Sequence, residues 1–220
     1  MIIFQRQVHR SKAGMRVFLA GVLVLMLLRP LINAGAAGEN RFSDIVEFRQ
    51  IALYHSDGGT AAGDPVGDHA LIEKGAGLVL RYEYEIQEKD IPQIKAETPY
   101  YLEVTPHLVL PDLIAGSPLY IETEDGPVEF GTIHSDKSRA WVVFRANADG
   151  DTVLSEYGGL ENAHFYLNCR RADAPPKDEA PIDGKDNLYA MKFEDGGQLE
   201  FGYAELEPVS AKAQIKKDGS

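Results

Sequence analysis

Hydrophobic and polar residues alternate along two runs of this chain, residues 78–86 and 100–105. Every second residue of the first run is apolar or aromatic, namely Leu78, Leu80, Tyr82, Tyr84 and Ile86. In the second run Tyr100, Leu102 and Val104 alternate with Tyr101, Glu103 and Thr105. Successive side chains of a β-strand point to opposite faces. Each run is therefore predicted to be a strand with one buried and one solvated face, which is typical of antiparallel sheets.

Shorter alternating segments recur through the rest of the chain. They lie near residues 44–55, 118–124, 128–134, 139–146, 163–170, 188–193 and 199–206. Clusters of Gly, Asp, Asn and Pro separate them, and such clusters mark turns. Only residues 71–77 and 153–160 have the composition of a single helical turn each. Many short strands with regular turn signals predict an all-β sandwich or barrel.

The segment 170–187 is polar and rich in proline, as an interdomain linker would be. Strand-like sequence resumes directly after it and continues for only about twenty residues, which is too short for a second domain. We therefore predict one domain that contains a long loop.

The amino terminus has the composition of an export signal. Arg6, Arg10, Lys12 and Arg16 precede an apolar run at residues 17–28, and small residues follow at Ala34 and Ala36. This order predicts a secretory signal peptide over residues 1–37, cleaved after Ala36 or Ala37. The alternative is an uncleaved anchor, although the run is shorter than the roughly 20 apolar residues of a spanning helix. The protein is accordingly expected to be secreted or held at the cell surface.

The charge of the chain restricts its partners. The formal charge is −12, and cleavage at the predicted site would leave 17 basic against 34 acidic residues, a charge of −17. Such a protein repels nucleic acid and anionic membranes. A protein, a carbohydrate or a cation is the expected partner class. The lone Cys169 permits no disulfide within the chain and is predicted to be a buried core residue.

No catalytic or cofactor motif is recognisable in the sequence. The histidines after the signal segment are scattered, without the spacing of a zinc site. The segment 147–151 resembles a calcium loop superficially but lacks the distant glutamate, and a turn explains it more simply. No nucleophile elbow or phosphate-binding glycine loop is present. We therefore predict a protein that is not an enzyme and uses no metal and no small-molecule cofactor.

The order of the segments resembles a known family. The phrases FSDIVEFRQIALYH, EKGAGLVLRYEYEI, IPQIKAETPYYLEVTPHLVL, RAWVVFRAN and QLEFGYAELEPVSAKAQIKKDG follow one another across residues 42–219. This succession resembles the adhesive domains of Gram-positive cell-wall-anchored adhesins of the collagen- and fibrinogen-binding type. The resemblance implies an immunoglobulin-like antiparallel β-sandwich over residues 38–215. It also implies cell adhesion through an extracellular protein or glycan ligand, with a neighbouring β-sandwich domain as a further partner.

The sequence departs from that family at several places. Some related domains contain an isopeptide bond that begins at a lysine of the first strand, but residues 44–55 contain no lysine, and Arg49 occupies the nearest position. We therefore expect no such bond. The ending at 216–220 resembles the start of a following domain, so it is predicted to be either a tail or the beginning of one.

Tyr101 and Tyr120 are the candidate ligand-binding residues, because each falls on the polar side of its predicted strand. The alternative for both is packing against a neighbouring strand. Two other functions remain open: a structural spacer in a surface fibre, and a secreted carbohydrate-binding module. A long groove would favour adhesion, a featureless sandwich would favour the spacer, and a planar aromatic platform would favour sugar binding.

Overall fold

The computed structural model describes residues 39–57, 62–182 and 187–204. The predicted signal peptide (1–37) and the predicted tail (216–220) lie outside these ranges. Within them the secondary structure is almost entirely β, as the alternation predicts. No helix among these residues is long and apolar enough to cross a membrane.

The strands are numbered in chain order. They are β1 Glu47–Ser56, β2 Ala62–Pro65, β3 Ala70–Glu73, β4 Gly77–Ile86, β5 Pro99–Leu102, β6 Leu108–Val109, β7 Leu113–Thr123, β8 Gly126–Ser135, β9 Ala140–Phe144, β10 Leu160–Arg171, β11 Leu188–Lys192 and β12 Gln198–Ala204. Short 3-10 turns occupy Phe42–Asp44, Glu88–Gln93 and Val153–Glu156.

The described strands form three sheets. A five-stranded sheet has the order β2-β1-β4-β10-β6, a four-stranded sheet has β5-β9-β8-β7, and a three-stranded sheet has β11-β12-β3. Their pairs are antiparallel except β12 with β3, which is parallel. The predicted all-β sandwich of antiparallel sheets is confirmed, and the sequence analysis did not predict this one parallel pair. The chain between β3 and β12 is long, and a crossover of that length permits parallel pairing.

The alternation of the sequence identifies most of the buried residues of β4 and β10, although Val79, on the opposite face of β4, is also buried. Leu78, Leu80, Tyr82, Tyr84 and Ile86 of β4 are all in the core, and Phe165, Leu167 and Cys169 of β10 face it in the same way. In the second run the alternation fails after β5, because Thr105 is buried and Val104 is only half-buried. The predicted helical turn within 71–77 is also wrong, since these residues contain most of β3. The turn predicted within 153–160 is confirmed.

Phe42 joins the five-stranded and four-stranded sheets into one sandwich. It is fully buried in the first 3-10 turn. Its ring lies 5.3 Å from Tyr84 and 6.1 Å from Phe165 in the five-stranded sheet, and 6.3 Å from Phe144 in the four-stranded sheet. The inner faces of all three sheets contribute to a single apolar cluster around these rings.

Candidate functional site

The two tyrosines predicted to bind ligand lie on the same face of the four-stranded sheet. Tyr101 is in β5 and Tyr120 is in β7, the two strands at opposite edges of that sheet. Leu119 and Ile121, the neighbours of Tyr120 in sequence, point into the core. Both tyrosines are half-buried on the outer side. The structure therefore places them on one solvent-facing surface, but in different rows of it.

Tyr101 belongs to an aromatic row that crosses three strands. It is paired in register with Trp141 of β9, which in turn is paired with His134 of β8. The Tyr101 and Trp141 ring centroids are 6.2 Å apart at 47°, and the His134 and Trp141 rings are stacked 5.5 Å apart at 3°. The packing role considered for Tyr101 is therefore present. We call Tyr101, Trp141 and His134 the aromatic row.

Hydrogen bonds hold the end of the row at His134. The Nδ1 atom lies 3.0 Å from the carbonyl oxygen of Ile114, and Nε2 lies 2.7 Å from the hydroxyl of Thr132. Because a carbonyl oxygen only accepts, Nδ1 donates to Ile114, and in the neutral ring the Thr132 hydroxyl donates to Nε2. This arrangement fixes the orientation of the imidazole and therefore of the ring stacked on it.

A turn positions a guanidinium beside the row. Arg139 lies with its guanidinium carbon 5.5 Å from the centre of the Tyr101 ring. The Asp136 carboxylate accepts hydrogen bonds from the backbone N–H groups of Ser138 and Arg139, at 3.0 Å and 2.8 Å. These donors, Ser138 first, lower the pKa of Asp136. The β8–β9 turn thus presents an exposed cation over an aromatic ring, an arrangement that is common in protein-binding surfaces.

A shallow hollow separates the aromatic row from Tyr120. Its volume is about 200 Å³, and it is lined by Glu97, Glu129, Gly131, Thr132, Val143, Phe144 and Arg145. Gly131 brings two strands close together there, because a Cβ at this position would lie 2.7 Å from the Val143 carbonyl oxygen. Arg145 and Glu129 form an ion pair of 3.4 Å across the hollow. The face therefore combines aromatic rings, a concave surface and charges of both signs.

The sequence analysis missed Trp141 and His134. The alternation in segment 139–146 could have identified Trp141. Ala140, Val142 and Phe144 are the buried residues of this segment, and Trp141 therefore falls on the outer face. The stacking itself depends on the register between β8 and β9, which the single sequence does not specify.

Replacing Gly116 with alanine is expected to disturb the aromatic row. Gly116 has a φ of +80°, and a Cβ there would lie 2.5 Å from His134 Cε1. The left-handed backbone disfavours alanine by about 1–2 kcal/mol, and the clash with the imidazole adds to this cost. We expect a lower melting temperature and a shifted fluorescence emission of Trp141.

Gly150→Ala is the matched control. Gly150 has a similar φ of +87°, but no atom lies within 4 Å of the position of its Cβ. This variant is expected to lose stability from backbone strain alone and to keep the emission of the unaltered protein. Identical spectra for the two variants would contradict the role assigned to His134.

The lone cysteine and the metal-ligating residue types are the other candidate groups in the described part of the chain. Cys169 is a buried free thiol, as predicted, and burial raises its pKa to about 12. A thiol with so high a pKa is a poor nucleophile at neutral pH. Among the described residues, no three His, Cys, Asp or Glu side chains come together in a metal-binding arrangement.

Comparison with known proteins gives a distant structural likeness. No family model and no curated protein matches this chain. Among solved structures it is similar to the Enterococcus faecalis MSCRAMM ACE, described as binding its ligands by the collagen Hug model. The identity is 15%, the TM-score is 0.41, and the match covers 77% of this chain and 47% of the other. This chain thus spans about half the length of that protein. A likeness of this strength assigns neither a family nor a ligand.

Proposed function

We propose that this chain is an exported, non-catalytic binding module that holds an extracellular macromolecule, specifically a protein, at the cell surface. The single observation that carries the proposal is the aromatic row on the outer face of the four-stranded sheet, with the hollow beside it. Large aromatic side chains and arginines contribute most of the binding free energy in protein interfaces. The export signal predicted for residues 1–37 supports the extracellular location.

The geometry of the row favours a protein over a carbohydrate ligand. Sugar binding requires a ring face that is free for stacking, whereas Trp141 lies between His134 on one side and Tyr101 on the other. The Tyr101 ring is tilted by 47° from Trp141, so the row is not a planar platform. Its half-buried rings, the exposed Arg139 side chain and the hollow are better suited to interdigitating side chains.

A spacer without a ligand is the competing function. A spacer would require neither exposed aromatic rings nor a concave surface. Its outer faces would all be charged, as the outer face of the five-stranded sheet is. There, Arg81 pairs with Glu83 at 2.5 Å, and Arg49 pairs with Glu85. That face also carries Tyr166, with Arg81 5.9 Å from its ring. The difference that supports binding through the four-stranded sheet is therefore the aromatic row across three strands, with the hollow beside it.

Truncation of the row is expected to weaken binding strongly without unfolding the protein. The purified protein would be applied to an array of extracellular-matrix proteins and glycans, and the affinity for any ligand would be measured by surface plasmon resonance. Trp141→Ala is expected to weaken binding about 30-fold, which corresponds to about 2 kcal/mol for a central interface residue. The double variant Tyr101→Ala, Tyr120→Ala tests the two predicted tyrosines in the same assay.

Tyr166→Ala is the matched control for this experiment. Tyr166 is a half-buried strand aromatic with an arginine 5.9 Å from its ring, but it lies on the outer face of the five-stranded sheet. It is expected to bind as the unaltered protein does. An equal loss in Tyr166→Ala would refute the assigned face. Absence of binding across the whole array, from a protein that melts cooperatively, would favour the spacer.

A further inference from the structure

A second cavity lies at the far end of the sandwich, between the three-stranded sheet and the end of β10. Its volume is about 550 Å³, and its walls include Lys74, Arg171, Asp173, Asn187, Tyr189 and Tyr203. None of these residues belongs to the four-stranded sheet. We call it the Arg171 cavity. Its volume is in the range of cavities that hold small ligands.

Arg171 is buried although it is charged. It is the last residue of β10 and continues the inward-facing positions of Phe165, Leu167 and Cys169, so its side chain lies on the core side. Only 3% of the residue is exposed. The guanidinium carbon lies 4.3 Å from the centre of the Tyr203 ring.

The Arg171 guanidinium has no anionic partner among the described residues. Its Nε atom is buried without a hydrogen-bond partner, and no described carboxylate forms an ion pair with it. The nearby Asp173 instead contacts two other cations, Arg170 at 3.4 Å and Lys74 at 3.7 Å. A buried charge without a partner costs several kcal/mol, and stacking on one aromatic ring recovers only about 2 kcal/mol. Among the described residues the site is therefore electrostatically incomplete.

Polar contacts hold the wall that Arg171 stacks on. The Tyr203 hydroxyl lies 3.0 Å from Nδ1 of the buried His107, and His107 Nε2 lies 3.0 Å from Glu179 Oε2. The Tyr189 ring meets Tyr203 edge-on, with centroids 5.4 Å apart. These contacts hold the aromatic wall in one orientation before any ligand arrives, and such preorganisation favours binding.

We propose that the Arg171 cavity binds a ligand through a carboxylate group, which pairs with the guanidinium of Arg171 and is assisted by the ammonium of Lys74. The planar guanidinium matches the geometry of a carboxylate. The described lining residues include two cations, Arg171 and Lys74, and the carboxylate of Asp173, so their summed charge is +1. That balance favours a monoanion, since a doubly charged phosphate would be repelled by Asp173.

The proposal is tested on the whole chain with small carboxylates of two kinds. Glucuronate represents an acidic sugar, and N-acetylglutamate α-amide represents an acidic peptide side chain. Glucose and inorganic phosphate are the neutral and the dianionic comparisons. Isothermal titration calorimetry is expected to show saturable binding of at least one carboxylate and none of glucose. The carboxylate that binds more tightly identifies the source of the ligand.

Variants distinguish binding in the Arg171 cavity from nonspecific attraction to surface charge. Arg171→Met is expected to weaken carboxylate binding at least tenfold, and Lys74→Gln, an exposed change, to weaken it several-fold. Arg170→Gln is the matched control, because Arg170 is adjacent in sequence but exposed and already paired with Asp173. It is expected to retain the affinity of the unaltered protein.

Stability without ligand gives an independent readout. Because Arg171 is buried without an anion among the described residues, Arg171→Met is expected to melt at the same temperature as the unaltered protein or higher. Three results would overturn the proposal: no saturable carboxylate binding by the folded protein, tighter binding of phosphate than of either carboxylate, or unchanged affinity in Arg171→Met. None of them affects the proposed role of the aromatic row, which lies on a different sheet.

Discussion

Replacing Phe42 with alanine is expected to destabilise the protein by about 3–5 kcal/mol, the range for removing a fully buried aromatic ring. Phe42 lies outside the strands, yet its ring contacts Tyr84 and Phe165 on one sheet and Phe144 on the other. The Phe42→Ala substitution would leave a void between the two sheets, and the strands on either side cannot fill it unless the sheets move. The free energy of unfolding, measured by denaturant titration, is expected to fall by this amount.

Leu71→Ala is the control for the loss of an apolar side chain. Leu71 is 66% exposed, so its truncation is expected to change the free energy of unfolding by no more than about 0.5 kcal/mol. If Phe42→Ala cost as little as Leu71→Ala, the segment before β1 would not hold the two sheets together.

The second large effect is expected at Asp195, in the turn between β11 and β12. Its carboxylate accepts a hydrogen bond from the backbone N–H of Ile51 at 2.6 Å and another from that of Gly197 at 2.8 Å. The first bond ties the three-stranded sheet to β1 of the five-stranded sheet. Hydrogen bonds to charged groups contribute about 1.5–3 kcal/mol each, and Asp195→Ala would leave the N–H of a buried residue without a partner. We expect a loss of about 2–4 kcal/mol.

The variant Asp195→Asn removes the charge of the side chain but keeps its size and shape. The amide oxygen can replace one carboxylate oxygen but not both, so an intermediate loss of stability is expected. Asp112→Ala, an exposed change with the same loss of charge, is expected to leave the free energy of unfolding nearly unchanged. A loss at Asp112 equal to that at Asp195 would show that net charge, and not the two hydrogen bonds, determines the result.

The same turn contains a buried carboxylate whose titration is altered by the fold. Glu194 accepts a hydrogen bond from the backbone N–H of Glu103 at 3.0 Å, in the segment that follows β5. Burial raises the pKa of Glu194, although the neighbouring donors oppose this shift. Adjacent acids of one turn thus contact β1 of the five-stranded sheet and the segment that follows β5. These two contacts fix the short β11–β12 hairpin against the sandwich.

Local patterns in the sequence predict the strands well but not how they are paired. The period of two in β4 and β10 identifies the core residues, because each of these strands has one face on the core. The parallel pairing of β3 with β12 is not predictable in this way, because it depends on contacts between residues more than a hundred positions apart. The residues of β3 are few, so their alternation is too short to distinguish a strand from a helical turn.

The candidate sites, like the fold, are predicted only in part by local sequence patterns. The alternation of side chains between the two faces of a strand places Tyr101 and Tyr120 on the solvent side. The same alternation in residues 140–144 would have added Trp141. The alternation along β10 also assigns Arg171 to the core side, but a charged residue is ordinarily expected to be solvated. Its burial becomes evident only when β12 brings Tyr203 over the guanidinium. Local alternation therefore locates the aromatic row, whereas the Arg171 cavity becomes evident only from contacts between distant strands.

The aromatic row can be tested directly because Trp141 is the only tryptophan of the chain. Its fluorescence therefore reports on this face and on no other. The decisive measurement is the quenching of this fluorescence by acrylamide, with and without a saturating matrix-protein ligand taken from the array. The account predicts that the bound ligand shields Trp141 and lowers the quenching constant. Saturable binding with an unchanged quenching constant would show that the ligand binds elsewhere and would contradict the assignment of the aromatic row as the binding site.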